Sequence, residues 1–180
     1  FNSKAFKCRG VEFGDEAAEE AGKKYHIYKG EFNVIEIIKK FDLIIFRGVI
    51  EHIPYPKSYL KKAVSLLNNK GLIYITSTPD SNAFCCDLFK ENWNQHEPEA
   101  HLMHFNKNHF HQYFSENKLT CIDSKNFYRE TPYCNIKDDI LKVAEAIKLK
   151  KSGNPIDFKS PAFYENMMSL IYKKNGSTKK

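Results

Sequence analysis

The amino-acid sequence predicts an α/β fold built on a doubly wound sheet. Three observations carry that prediction. Strand-like and helix-like segments alternate along the first half of the chain. Two strand candidates, FDLIIF (residues 41–46) and GLIYIT (residues 71–76), are nearly continuous apolar runs, the habit of parallel strands covered on both faces. The segment between them is amphipathic, with Leu60, Ala63, Val64 and Leu67 at helical spacing and Lys61 and Lys62 on the other side.

The elements follow in order. Residues 8–13 read as a short strand ending at Gly14. Asp15 stands where an N-cap belongs, and the Ala/Glu-rich residues 16–21 read as a helix stopped by Gly22. Residues 25–28 form a second short strand that turns at Lys29-Gly30, and residues 33–40 read as a short helix. The strand at 41–46 precedes a helix over 57–68, which stops at Asn69-Lys70-Gly71 with Gly71 in a left-handed turn. After the strand at 71–76 the pattern predicts helices near 81–91 and 107–117. A strand at 120–127, a helix at 137–150 and a closing strand at 167–173 complete it.

A chain of 180 residues suits one domain, and 42% hydrophobic content with 14% aromatics excludes a disordered polymer. No long uncharged apolar run occurs, so no membrane span is expected. The net charge of +6 owes four of its positive charges to Lys173, Lys174, Lys179 and Lys180, leaving a body too mildly basic for a nucleic-acid partner. Five cysteines without paired spacing point to a reducing, cytoplasmic setting. No internal repeat or linker divides residues 1–180, and a homo-oligomer is left open.

In open parallel sheets, ligands bind where strands end. The residues to inspect are therefore Glu12-Phe13, Gly30-Glu31-Phe32, Arg47-Gly48-Val49 and Thr78-Pro79-Asp80. An acidic residue at a strand end can accept both hydroxyls of a ribose. Glu12 is equally suited to pair with the dipole of the helix that follows.

The stretch FDLIIFRGVIEHIPYPKSYLKKAVSLLNNKGLIYITSTPDS resembles the middle of class I S-adenosylmethionine-dependent methyltransferases. Within them it is most similar to the small-molecule group that includes ubiquinone-biosynthesis and sugar-modifying enzymes. V-x-E-H-I-P, the Lys-rich helix, N-x-K-G-L-I-x-I-x-T-P and the later Trp93, His101, Leu102 and Phe105 carry the likeness, as does GVEFGDEAAEEA. It covers most of residues 4–127 and, weakly, the closing strand. The resemblance implies a mostly parallel Rossmann-like sheet with an antiparallel last strand. It also implies a first strand and a glycine-rich turn that these residues do not contain, since no G-x-G occurs among them. The expectation is a natural start upstream of Phe1.

The resemblance implies S-adenosylmethionine as cofactor and a small-molecule acceptor such as a sugar, quinone precursor or other metabolite. Glu12 would hold the cofactor ribose and Phe13 would pack near the adenine, with Glu31 and Phe32 flanking it. Arg47 and Gly48 would approach through their backbone, and Val49 through its side chain. Phe32 and Val49 suit ordinary core packing nearly as well, and Arg47 departs from the small or polar residue expected there.

Five of the seven histidines fall at positions 96–111. His101 and His104 lie in the segment that covers the substrate mouth in the family, so one of them is expected to act as base or to bind the acceptor. Each also suits a structural hydrogen bond to a loop carbonyl. With Glu97 and Glu99 the only acids nearby, the cluster is read without a metal. Glu51-His52 is expected to cap and orient its loop. Trp93, the only tryptophan, is expected to face the substrate, and residues 130–162 are read as a substrate-side insertion. Two rivals stand beside the enzyme. One is a non-catalytic methyltransferase-like binding domain. The other is a nicotinamide-dependent reductase, which V-x-E-H-I-P and T-P argue against.

Overall fold

The computed structural model describes residues 6–129 and 131–176. The elements run β1 (Arg9–Glu12), α1 (Asp15–Gly22), β2 (His26–Lys29), β3 (Phe41–Arg47), α2 (Pro56–Leu66) and β4 (Leu67–Pro79). They continue with α3 (Phe84–Phe89), α4 (Lys107–Glu116), β5 (Leu119–Phe127), α5 (Ile136–Lys151) and β6 (Met167–Lys174). One-turn 3-10 helices lie at Ile50–His52 and Lys90–Asn92.

Strand order is β3-β4-β6-β5 in the larger sheet and β1-β2 in a separate parallel pair. β3 and β4 run parallel, and β6 runs antiparallel to both of its neighbours. The Rossmann-like sheet and its antiparallel last strand are therefore as expected. β1 and β3 each pair on one side only among the described residues.

Apolar spacing sets the core. Leu60 and Ala63 of α2, Phe110 and Phe114 of α4, Ile73 and Ile75 of β4 and Leu170 of β6 pack in one buried cluster. Phe114 and Tyr172 meet with ring centroids 4.3 Å apart, and His111 Nδ1 sits 2.7 Å from the Tyr172 hydroxyl. Burial pushes the Tyr172 phenol well above its ordinary value. A second cluster joins Cys85, Leu88, Phe89 and Trp93 to Val143 and Ala146 of α5.

Three expectations change. Residues 33–40 make no helix. The Val34, Glu31 and Ile35 backbones close a single turn, and the Lys62 ammonium takes the Ile35 carbonyl that a continuing helix needs. The β-branched residues Val34, Ile35, Ile37 and Ile38 resist helix for their own part. Next, Lys70 (φ 62°), not Gly71, turns left-handed beyond α2. Gly71 is needed for close approach, since a Cβ there would lie 3.0 Å from the Asn68 carbonyl oxygen and 3.2 Å from that of Phe41. Finally, β3 is covered on one face only. Phe46 is buried, whereas Leu43 and Ile45 are 39% and 38% exposed.

Candidate functional site

The ends of β1, β3 and β4 carry most of the polar groups of interest. Glu12 closes β1. Its Oε1 accepts from the Gly14 N–H at 2.9 Å, which aims the carboxyl group and leaves Oε2 without a partner among the described residues. Helix α1 has no side-chain cap, so Glu12 does not serve that end as a capping residue. Phe13 beside it is 78% exposed. Glu31 is exposed, but Phe32 turns inward, edge-on to Phe46 at 6.0 Å and tilted on Tyr59 at 5.8 Å. Phe32 is partly buried and packs against the main core.

Beyond β3, Arg47 is exposed and Gly48 takes φ 57°. A Cβ on Gly48 would find nothing nearer than the Ser77 carbonyl oxygen at 3.8 Å, so the left-handed turn rather than crowding selects glycine. Val49 is 41% exposed. Phe13 and Val49 thus present apolar surface at strand ends, where water is a poor partner for it.

The next residue pair is more constrained. Glu51 is buried and caps nothing. Its Oε2 accepts from the Thr78 hydroxyl at 3.0 Å, tying the β3 loop to the end of β4. His52 donates from Nδ1 to the Ala100 carbonyl at 2.8 Å, and His101 donates from Nδ1 to the Gln95 carbonyl at 2.9 Å. In the neutral form of each ring, Nε2 is then the nitrogen that carries the lone pair. Their ring centroids are 5.0 Å apart, and the Met103 N–H binds the Glu51 carbonyl at 3.2 Å. One ligand atom from each of Glu51, His52 and His101 lies within 4.8 Å of the others.

The histidine-rich segment divides by role. His109 Nδ1 accepts from the Asn106 N–H, while Asn106 caps α4, so His109 is a capping residue. His111 supports Tyr172. His96 and His104 stack at 4.8 Å, each edge-on to Trp93. Desolvation holds the His104 ring below the ordinary histidine value, and charge on His96 and His101 adds to this.

Trp93 itself is fully buried, and its Nε1 has no hydrogen-bond partner among the described residues. That corrects the expectation that it faces a substrate: it is the floor on which His96 and His104 rest. Residues 136–158 supply the other wall of this second cluster through Val143, Ala146, Ile156 and Phe158. Sequence spacing could not show this, because α3 and α5 are far apart in the chain.

A cavity of about 670 Å³ opens between the start of α2 and the face of α4, lined by Tyr55, Leu60, Met103, His104, Phe110 and Tyr113. It includes none of the candidate cofactor residues. His104 is the one candidate site residue that reaches it.

Three similar solved structures share the fold. An S-adenosylmethionine-dependent methyltransferase from Methanosarcina mazei is 14% identical, covers 97% of this chain and 85% of its own, and has a TM-score of 0.63. One from Clostridium acetobutylicum is 12% identical over 93% of this chain and 75% of its own, with a TM-score of 0.57. The magnesium protoporphyrin IX methyltransferase of Synechocystis, solved with bound SAH, is 11% identical over 93% and 64%, with a TM-score of 0.58. No curated protein gives a significant match. Residues 2–124 match the family described as a methyltransferase domain. That span exceeds half of the chain, and the chain belongs to the methyltransferase domain family.

Proposed function

We propose that this chain transfers a methyl group from S-adenosylmethionine to a small molecule such as a sugar, a quinone precursor or another metabolite. The observation that supports this best is Glu12, a strand-end carboxyl group with one oxygen fixed by Gly14 and the other free. Such a group suits a ribose diol. The exposed Phe13 and Val49 suit a planar base, so the residues present fit the ribose and purine of the cofactor.

When bound, the cofactor supplies an electrophilic methyl group on a sulfonium. The protein's own residues bind and orient. Glu12 accepts from ribose hydroxyls, with Glu31 beside the same edge. Arg47 and Gly48 offer backbone groups at the left-handed turn, and Val49 packs beside them. The acceptor's body rests in the cavity between α2 and α4, and His104, kept neutral near pH 7, takes the proton of an acceptor hydroxyl. His101 sits beside it as an acceptor-binding residue. Alignment supplies most of the remaining rate.

Calorimetric titration of S-adenosylmethionine and its demethylated product into protein made from its whole natural reading frame tests this. Saturable binding of both is the expected result. A folded protein that binds neither would leave a non-catalytic binding domain as the better reading.

A further inference from the structure

We infer that Glu51, His52 and His101 form a binding site for one divalent transition-metal ion. The three side chains come from two places, the 3-10 turn after β3 and the loop before α4, and converge with ligand atoms within 4.8 Å. The distance from His52 Nε2 to Glu51 Oε1 is 3.9 Å.

The surrounding hydrogen bonds favour metal over chance proximity. In protein metal sites a ligating imidazole usually donates its other nitrogen to a carbonyl or carboxylate, which fixes the ring and its tautomer. Both histidines do so here, through Ala100 and Gln95. The carboxyl group is oriented in the same way, with Oε2 held by Thr78 while Oε1 turns toward His52. Glu51 is 2% exposed, so its carboxylate lies where a cation compensates for lost water.

Two nitrogens and one oxygen select an ion of the zinc, iron or cobalt kind over magnesium or calcium. A tetrahedral ion with bonds of about 2.1 Å sets its ligand atoms about 3.4 Å apart, so the rings draw together by roughly 1 Å on binding. Three protein ligands leave a coordination position open, and an acceptor oxygen could fill it. That last use rests on the methyltransferase reading above; the binding of the ion does not. Spacing along the chain does not point to this set, because Glu51 and His52 stand about fifty residues before His101 and outside the histidine-rich segment.

The test is calorimetric titration of Zn2+ into chelator-treated full-length protein without cofactor, with Co2+ absorption as a second readout of nitrogen-rich coordination. One ion per chain is expected. His52→Ala and His101→Ala should each weaken binding at least tenfold, while His26→Ala, an exposed residue of β2, leaves it unchanged. Glu51→Gln, checked for folding by its melting curve, should weaken binding too and change the Co2+ spectrum. Failure of the folded protein to bind stoichiometric Zn2+, or unchanged binding in both histidine variants, overturns the site. Titrating the demethylated cofactor product into the same samples separates the two ideas. Cofactor-product binding with no metal binding sinks this inference alone, and the reverse sinks the methyltransferase reading alone.

Discussion

On β4, Ile73 and Ile75 are fully buried against Phe110, Phe114 and Leu170, whereas on the adjacent β3 Leu43 and Ile45 remain more than a third exposed. The contrast extends outward from both strands. β4 and β6 pair on both sides and carry the main core, while β1, β2 and β3 each pair on one side only among the described residues. The candidate cofactor residues Glu12, Phe13, Glu31, Arg47, Gly48 and Val49 all belong to the second region. If the strand-end residues hold the cofactor as proposed, substitutions in the first region should change folding, and those in the second should change cofactor binding.

The largest effect should come from cutting into the first region. Phe114→Ala removes a fully buried ring that packs on Tyr172 and should cost about 3–5 kcal/mol, read by chemical denaturation. Phe13→Ala, which removes a ring 78% exposed, should cost about 0.5 kcal/mol or less. Equal losses from the two would abolish the contrast.

Next in size is the hydrogen bond that ties β3 to β4. Thr78→Val leaves the buried Glu51 carboxyl group short of a donor and should cost about 1–3 kcal/mol by the same measurement. It should also loosen the loop that places His52.

A smaller effect concerns pH. The His104 value is lowered in the folded protein, so the unfolded chain binds that proton more readily. The stability tied to keeping this ring neutral is full above the ordinary histidine value and is lost as pH falls through the lowered one. Denaturation midpoints measured from pH 7.5 downward should show this fall, and His104→Gln should flatten it.

Thiol chemistry gives the mildest contrast. Cys85 lies in the second core cluster, where burial first, and then Asp139, Glu165 and Cys86, push its thiol up to about 12. Cys8, exposed just before β1, should react with a thiol reagent in native protein while Cys85 waits for unfolding. Equal rates would show that the second cluster opens freely.

Much of this was legible in the sequence where one element sufficed to decide. The apolar run of β3, the spacing in α2 and the helix of α5 were visible from periodicity, and the strand-end positions of Glu12 and Gly48 followed from them. Competition between neighbours was harder to see. Residues 33–40 carry a helical pattern, yet Lys62 from another element claims the carbonyl of Ile35. Lys70 takes the left-handed turn because Gly71 is occupied by close approach to Phe41. Trp93 was misjudged for the same reason. A lone tryptophan suits ligand or core, and only long-range packing with α5 places Trp93 in the second core cluster. The meeting of His52 with His101 leaves no trace in spacing at all.

In the function proposed above, the strand-end carboxyl group of Glu12 reads the cofactor's ribose. Its most direct test is the affinity of S-adenosylmethionine's demethylated product for wild-type protein and for Glu12→Gln, with melting temperatures measured alongside. Loss of a charged hydrogen-bond acceptor worth about 1.5–3 kcal/mol predicts an affinity drop of roughly 10- to 100-fold at unchanged melting temperature. Wild-type affinity in the variant would show that Glu12 does not hold the ribose.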